Sequence, residues 1–243
     1  MQPGNASLVE ERAIALSFNG SSPVVLMATP TDLEDLILGF ALSEQIVDAV
    51  TDLRVVEIAA RGDALVVEAI IPDTAMARLE SRRRVFVGNS ACGLCGTEQL
   101  EQAMRPPRAG VERSPFALPE AEVLSGFLAR FEAKQVLNQS TGGAHAAAWV
   151  DAEGLLLRED VGRHNAFDKM VGARAQTSRA GQAGFAIVSS RASYELVHKA
   201  VSAGIGALVA ISAPTTAALD LAMAHGLTLV GFARGNTMTR YTD

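Results

Sequence analysis

The sequence predicts an α/β fold for its C-terminal half and an α+β arrangement before it. Three observations carry that expectation. The second half alternates apolar runs, "FAIVSS", "ALVAIS" and "LTLVGF", with helix-like stretches, and such runs imply strands buried on both faces. The first ninety residues instead pair short strands with amphipathic helices. Between the two lies "RPPRAGVERSPFALP" at residues 105–119, whose four prolines read as a linker. The expected organisation is therefore residues 1–104, a linker at 105–118, and residues 119–243.

Each element has a local reason. Ile14, Leu16 and Phe18 alternate with small or polar residues, Asn19-Gly20 supplies a turn, and "PVVLMA" follows, which predicts a hairpin. Thr31 to Glu34 spells T-D-L-E, a capping box, and Leu33, Leu36, Ile37, Phe40 and Ala41 then mark one helical face. "LRVVEIAA" and "ALVVEAII" are two strands joined by Arg61-Gly62-Asp63. A short helix from Asp73 should end at Arg82-Arg83-Arg84, with "VFVG" as a strand and residues 97–104 as a helix. Beyond the linker, a helix begins at Pro119-Glu120 with Val123, Leu124, Phe127, Leu128 and Phe131 on its apolar side. "AHAAAWV" and "GLLLRED" form a second hairpin, followed by a helix after Asp160. Further helices start at Ala192 and Pro214, so the second half reads α-β-β-α-β-α-β-α-β.

With 243 residues, 49% of them hydrophobic, the chain can bury a sizeable core. It has no apolar run near the roughly 18 residues of a membrane span, and "MQPGNASLVEER" lacks a basic segment followed by an apolar one, so no secretory signal is expected. Cytoplasmic residence is expected, where thiols stay reduced. The net charge of −6 argues against general nucleic-acid binding.

The two cysteines, Cys92 and Cys95, lie in "NSACGLCGTEQ". A structural zinc site needs four ligands, and no second ligand pair with zinc spacing accompanies them. A zinc deaminase needs H-x-E before P-C-x-x-C, whereas His145 follows the cysteines and Ala147 stands in the glutamate's place. No metal is expected. A cytoplasmic C-x-x-C dithiol oxidoreductase and a sulfur carrier both remain open, because spacing alone does not choose between them. Gly93 and Gly96 permit close approach of another molecule, and nearby arginines with a following helix would lower a thiol pKa.

Several polar stretches are too dense for a mere core. "STGGAHAAA" holds His145, and "REDVGRHNAFDK" puts Arg163 and His164 in the first turn of a helix, where anions are favoured. The competing structural account is a capped surface helix, with His145 a packed strand histidine. "SSRASYELVHK", including Ser190, leaves a parallel strand at the edge where open α/β sheets bind ligands. "GFARGNTMTRYT" leaves the last strand, and its aromatic, arginine and glycine content suits a nucleobase with phosphates. Neither a P-loop nor a G-x-G-x-x-G fingerprint is present. His198 and His225 read as structural or exposed.

Taken together, "NSACGLCG", "TGGAHAAA", "REDVGRHNAFDKMVG", "SSRASYELVHKAVSAGI" and "LTLVGFARG…YT", with "TPTDLEDLILGFALSEQIV" before them, resemble the formate dehydrogenase accessory sulfurtransferases. The resemblance runs from about Val9 to Thr242. It implies that the C-terminal half is a cytidine-deaminase-like, three-layer fold with a mixed sheet, lacking the deaminase zinc. It implies a sulfurtransferase that accepts persulfide sulfur from a cysteine desulfurase and passes it to the molybdenum cofactor, bis-molybdopterin guanine dinucleotide, for formate dehydrogenase. Carried over by motif, Cys92 would hold the persulfide and Cys95 would assist. Phe232, Ala233, Arg234, Gly235, Asn236 and Thr237 would contact the cofactor, which is bound as substrate. His145, Arg163, His164 and Ser190 are further candidates for that contact. A homodimer is also implied. A cofactor chaperone without sulfur chemistry is the remaining alternative.

Overall fold

A computed structural model describes residues 7–88, 107, 111–114, 116 and 119–242. Cys92, Cys95, the expected helix at 97–104 and most of the expected linker lie outside the described residues. Two mixed sheets organise the rest.

The first sheet has strands β1 (Arg12–Phe18), β2 (Val24–Ala28), β3 (Arg54–Arg61) and β4 (Ala64–Ile70), in the order β2-β1-β4-β3. The two expected hairpins form, and β1 joins them by running parallel to β4. Its inner face carries Ile14, Leu16, Val67 and Ala69, packed with Leu36, Ile37 and Phe40 of α1 (Leu33–Ser43). Alternation at period two and the helical spacing of α1 thus supply the two halves of one core.

Two local expectations fail. The capping box does not form: Asp32 takes a left-handed conformation (φ 51°, ψ 42°) and its side chain accepts no cap hydrogen bond. Its carboxylate lies 3.5 Å from Arg158 instead, beside the closer Arg158–Asp35 pair at 2.7 Å. The second failure is "VFVG", which continues α2 (Asp73–Gly88) rather than forming a strand. A growing helix gains one hydrogen bond per added residue, whereas a four-residue strand needs a partner.

The second sheet contains β5 (His145–Asp151), β6 (Gly154–Asp160), β7 (Gly184–Val188), β8 (Ala207–Ala210), β9 (Thr228–Arg234) and β10 (Thr237–Arg240), ordered β10-β9-β8-β7-β5-β6. Strands β7, β8 and β9 are parallel, while β5, β6 and β10 are added antiparallel. One face packs on α3 (Ala121–Ala133) through Leu124, Leu128 and Phe131. Val123, expected on that apolar side, is exposed. The other face packs on α5 (Arg163–Ala175), α6 (Tyr194–Ser202) and α7 (Thr216–His225). The short helix α4 (Val136–Thr141) and strand β10 were not legible, since neither shows an apolar period.

Helix α1 of the first layer lies antiparallel along α5 of the second. Glycines make this contact: a Cβ on Gly39 would collide with the carbonyl of Asp168, and one on Gly172 with that of Asp35. Buried ion pairs flank it. Lys169 and Asp160, both fully inaccessible, meet at 2.6 Å, and the Asp160 carboxylate accepts the backbone N–H of Thr29 at 3.0 Å. Lys199 lies 2.9 Å from Asp168 and 2.7 Å from Glu44, and Ser43 donates to Asp168 at 2.6 Å. Residues 111–114 are laid over the start of β8, where a Cβ on Gly204 or Gly206 would come within 2.6 Å of the carbonyls of Glu112 and Ser114.

These contacts generate a paired expectation. Gly39→Ala should cost about 2 kcal/mol or more in urea unfolding, because two backbones must separate. Gly126→Ala, with nothing within 4 Å of the new methyl group, should gain about 0.5–1 kcal/mol through helix propensity. Equal shifts of both variants would contradict the packing described.

Candidate functional site

Strands β7, β8 and β9 end at one edge of the second sheet because they are parallel. The antiparallel β5 begins at that edge, and β6 ends there and turns into α5. This is where open α/β sheets place ligands. The topology therefore gathers His145 at the start of β5, Arg163 and His164 at the start of α5, Ser190 after β7, and Phe232 to Thr237 at the end of β9. At the usual strand spacing, β9 lies about 10 Å from β7 and about 14 Å from β5.

His145 is half-buried, and its Nδ1 lies 3.4 Å from the Ser189 hydroxyl. That hydroxyl accepts the backbone N–H of Ala146 at 2.9 Å, so its own hydrogen is left to point at the imidazole. Burial lowers the His145 pKa, and the positive charge of Arg163 adds to the effect. His164 is pulled further, to about 4, chiefly by burial and then by Lys199 and Arg163, against the opposing pull of Glu195 and Glu44. Both rings are thus neutral near pH 7, and the His164 Nε2 is buried without a hydrogen-bond partner. A helix start carrying Arg163 and a neutral His164, with neutral His145 at the start of β5, offers donors and an acceptor without adding further charge.

Much of the polarity in "REDVGRHNAFDK" serves the fold. Asp160 accepts the backbone N–H of Gly162 at 2.8 Å and an Asn165 amide hydrogen at 3.1 Å. Asn165 also donates to the Met27 carbonyl at 2.8 Å, and Lys169 to the Thr29 carbonyl at 2.9 Å. The surface-helix account therefore fails, because Asp160, Asn165, Asp168 and Lys169 are all buried. Only Arg163 and His164 of that stretch are left to face the edge.

At the end of β9 the backbone is strained. Phe232 has φ 52°, a left-handed conformation that bulky side chains rarely adopt. The pairing explains it: Arg234 faces Thr237 and Gly231 faces Thr239, so Phe232 and Ala233 together oppose Met238. This is a β-bulge with an aromatic residue where glycine is usual, and bulges re-aim side chains at strand ends. Phe232 is 48% exposed, so its side chain is partly open to a partner. Its N–H donates to the Ser212 carbonyl at 3.2 Å, and Arg234 Nε donates to the Ile211 carbonyl at 3.3 Å, tying β9 to the loop after β8. Gly235 (φ 51°) opens the two-residue turn with Asn236, and Thr237 donates to the Arg234 carbonyl at 2.9 Å.

Ser190 is at this edge but buried, and its hydroxyl donates to the Arg191 carbonyl at 3.0 Å. Ser189 is the residue sequence reasoning missed, although its place beside Ser190 in "SSR" was a signal. Ser212 and the Lys199–Asp168–Glu44 group behind His164 were also missed, since they converge only through the fold. His198 lies 6.2 Å from Tyr194, ring to ring, and the His225 carbonyl accepts from Arg113.

Comparison with known proteins places this geometry in context. The family model described as FdhD/NarQ matches residues 9–243. A sulfur carrier protein FdhD of Bordetella parapertussis is 45% identical over 97% of this chain and 85% of its own length. One from Cupriavidus necator is 44% identical over 96% of this chain and 81% of its own length. Another, from Xanthomonas campestris pv. campestris, is 46% identical over 96% and 82%. Among solved structures, a candidate formate dehydrogenase accessory protein from Desulfotalea psychrophila shares the fold with a TM-score of 0.70 at 21% identity, covering 97% of this chain and 88% of that one.

Two outcomes follow from the site's electrostatics and strain. His164 is neutral in the fold to about pH 4 but charges near 6.5 when unfolded. It therefore contributes stability above pH 6.5 that is lost as pH falls towards 4. His164→Gln should flatten that part of the urea-unfolding profile, and parallel profiles would rule out the burial. Phe232→Gly should be no less stable than the parent despite losing a half-exposed ring, because it removes left-handed strain of about 1 kcal/mol. A clear drop in the unfolding midpoint would remove the strain assignment.

Proposed function

This chain belongs to the FdhD/NarQ family, and on that premise we propose that it is a sulfur carrier that delivers persulfide sulfur to a molybdenum cofactor destined for formate dehydrogenase. The observation that supports the reading is the convergence of His145, Arg163, His164 and the Phe232–Thr237 turn on one sheet edge. A flat aromatic ring and arginines beside a tight glycine turn suit a purine and phosphates, which fits the guanine dinucleotide end of bis-molybdopterin guanine dinucleotide. The cofactor is the substrate here, and the protein holds it by the nucleotide.

The sulfur chemistry belongs to Cys92 and Cys95. The Cys92 thiolate attacks the outer sulfur of a cysteine desulfurase persulfide. The S–S bond of that persulfide breaks, the desulfurase leaves as a thiolate, and Cys92 carries the new S–SH. Cys95 thiolate then attacks the Cys92 sulfur, a Cys92–Cys95 disulfide forms, and hydrosulfide departs to the metal. The carried sulfur gains two electrons and the two thiols lose them, so a thiol reductant must reset the pair before another turn. With both imidazoles neutral, Arg163 is the cation of the α5 start available to the phosphates. The protein works in the cytoplasm, and a homodimer is the proposed assembly.

The test is mass spectrometry after incubation with a desulfurase and cysteine. One added sulfur atom on Cys92, released by cyanide and abolished in Cys92→Ala, is the expected result. A protein that never takes up cyanolysable sulfur, or a Cys92→Ala variant that still restores formate dehydrogenase, would overturn the proposal. Full activity in Cys95→Ala would remove Cys95 from the second step alone.

A further inference from the structure

A cleft of about 540 Å³ opens at the far end of α5, where the end of α1, the end of α6 and residues 111–112 meet. Arg174 lies eleven residues beyond Arg163 on α5, about 16 Å by the helical rise, so this cleft is separate from the sheet edge. Its volume falls within the range of small-molecule sites. Leu42, Val50, Val111 and Val171 make much of its wall apolar.

Two polar side chains line the cleft with unmet valence. Arg174 is 5% exposed and Ser202 is 7% exposed. The Arg174 Nε and the Ser202 hydroxyl have no hydrogen-bond partner. The rest of the guanidinium bonds only neutral oxygens: Ser114 Oγ, the Ala180 carbonyl and the Ala203 carbonyl. Among the described residues no carboxylate lies within ion-pair distance of it, and Asp151 acts only at longer range. Its flat face stacks on Trp149, 4.0 Å from the ring centroid. A buried cation held by neutral acceptors is costly, and buried polar atoms in native proteins normally find partners.

We propose that this cleft binds a small organic monoanion, its carboxylate on Arg174 and Ser202 and its apolar body against Leu42, Val50 and Val171. The charge is limited to one by the surroundings. Asp48 and exposed Glu112 line the same cleft, and Asp48 already pairs with Arg78 at 2.8 Å. A second negative charge on the ligand would meet these carboxylates, and among the described lining residues Arg174 is the one cation to balance it. A phosphate dianion is therefore disfavoured against a carboxylate, and a neutral molecule would leave the guanidinium uncompensated. Nothing here depends on the cysteines or on the nucleotide edge.

Trp149 is the chain's single tryptophan and reports directly on Arg174. The experiment titrates hexanoate into the full chain and follows tryptophan emission, with 1-hexanol and inorganic phosphate as matched probes. The same titration on Cys92→Ala keeps the result independent of sulfur transfer. A saturable change with hexanoate in the low millimolar range or below, absent with hexanol and phosphate, is expected. Arg174→Lys should weaken it at least tenfold. Because Arg174 also holds residues 111–114, Ala175→Leu serves as the second variant: it narrows the cleft without touching the guanidinium and should weaken hexanoate to a similar degree. No saturation, equal saturation by hexanol, preference for phosphate, or full affinity in Ala175→Leu would each overturn the proposal, leaving Ser202 to an ordered water.

Discussion

Asp160 and Lys169 face each other at 2.6 Å with no access to water, and the arrangement of both layers depends on that pair. Charges removed from solvent are tolerated only when every lone pair and proton is met. The carboxylate is met by Lys169, by the backbone of Thr29 and Gly162, and by Asn165. The ammonium is met by the Thr29 carbonyl. Strand β2 of the first sheet is thereby bound to the β6–α5 corner of the second. Loss of one partner would strand a buried charge, at a cost of roughly 3–5 kcal/mol. The Lys199 group repeats the logic beside the glycine contact, through Asp168 of α5 and through Ser43 and Glu44 at the end of α1.

This construction decides what the ligand edge can present. The corner that satisfies Asp160 also fixes the first turn of α5, so Arg163 and His164 emerge from a rigid base. Burial and cationic neighbours keep both nearby imidazoles neutral. An edge with few extra charges and fixed donors would distinguish the proposed nucleotide by shape and stacking as much as by Coulomb attraction, which suits an acidic protein with a net charge of −6.

The major elements were legible because their signals are local. Period two marked the strand around Ile14, period 3.6 marked α1, and apolar runs marked β7 to β9. Where local signals competed with distant ones, they lost. Asp32 looked like part of a capping box but engages Arg158, more than a hundred residues away. "VFVG" has strand composition but extends an existing helix. The candidate site residues were visible as clusters of unusual types, yet their division of labour was not. Nothing in "REDVGRHNAFDK" says that Asp160 and Lys169 face inward while Arg163 and His164 face the edge, since that split follows from where Thr29 arrives. Ser189 was passed over for Ser190 because only the register of β5 against β7 shows which hydroxyl meets His145.

The extra residue in β9 also acts as a phase shift. Before it, Leu229 belongs to the core under α5–α7 and Val230 to the core under α3. After it, Ala233 lies with Val230 on the α3 side, three positions later, where an uninterrupted strand would have sent it to the opposite face. Deleting a single residue at 232 or 233 would therefore restore a regular ladder and leave Arg234 and Thr237 on their present faces, whereas straightening β9 at its full length would turn the remainder of the chain over. The terminal hairpin thus owes its orientation to one added residue: a chain of the same length that lost the bulge would show its reverse side, so conformation at this point carries as much information as residue type.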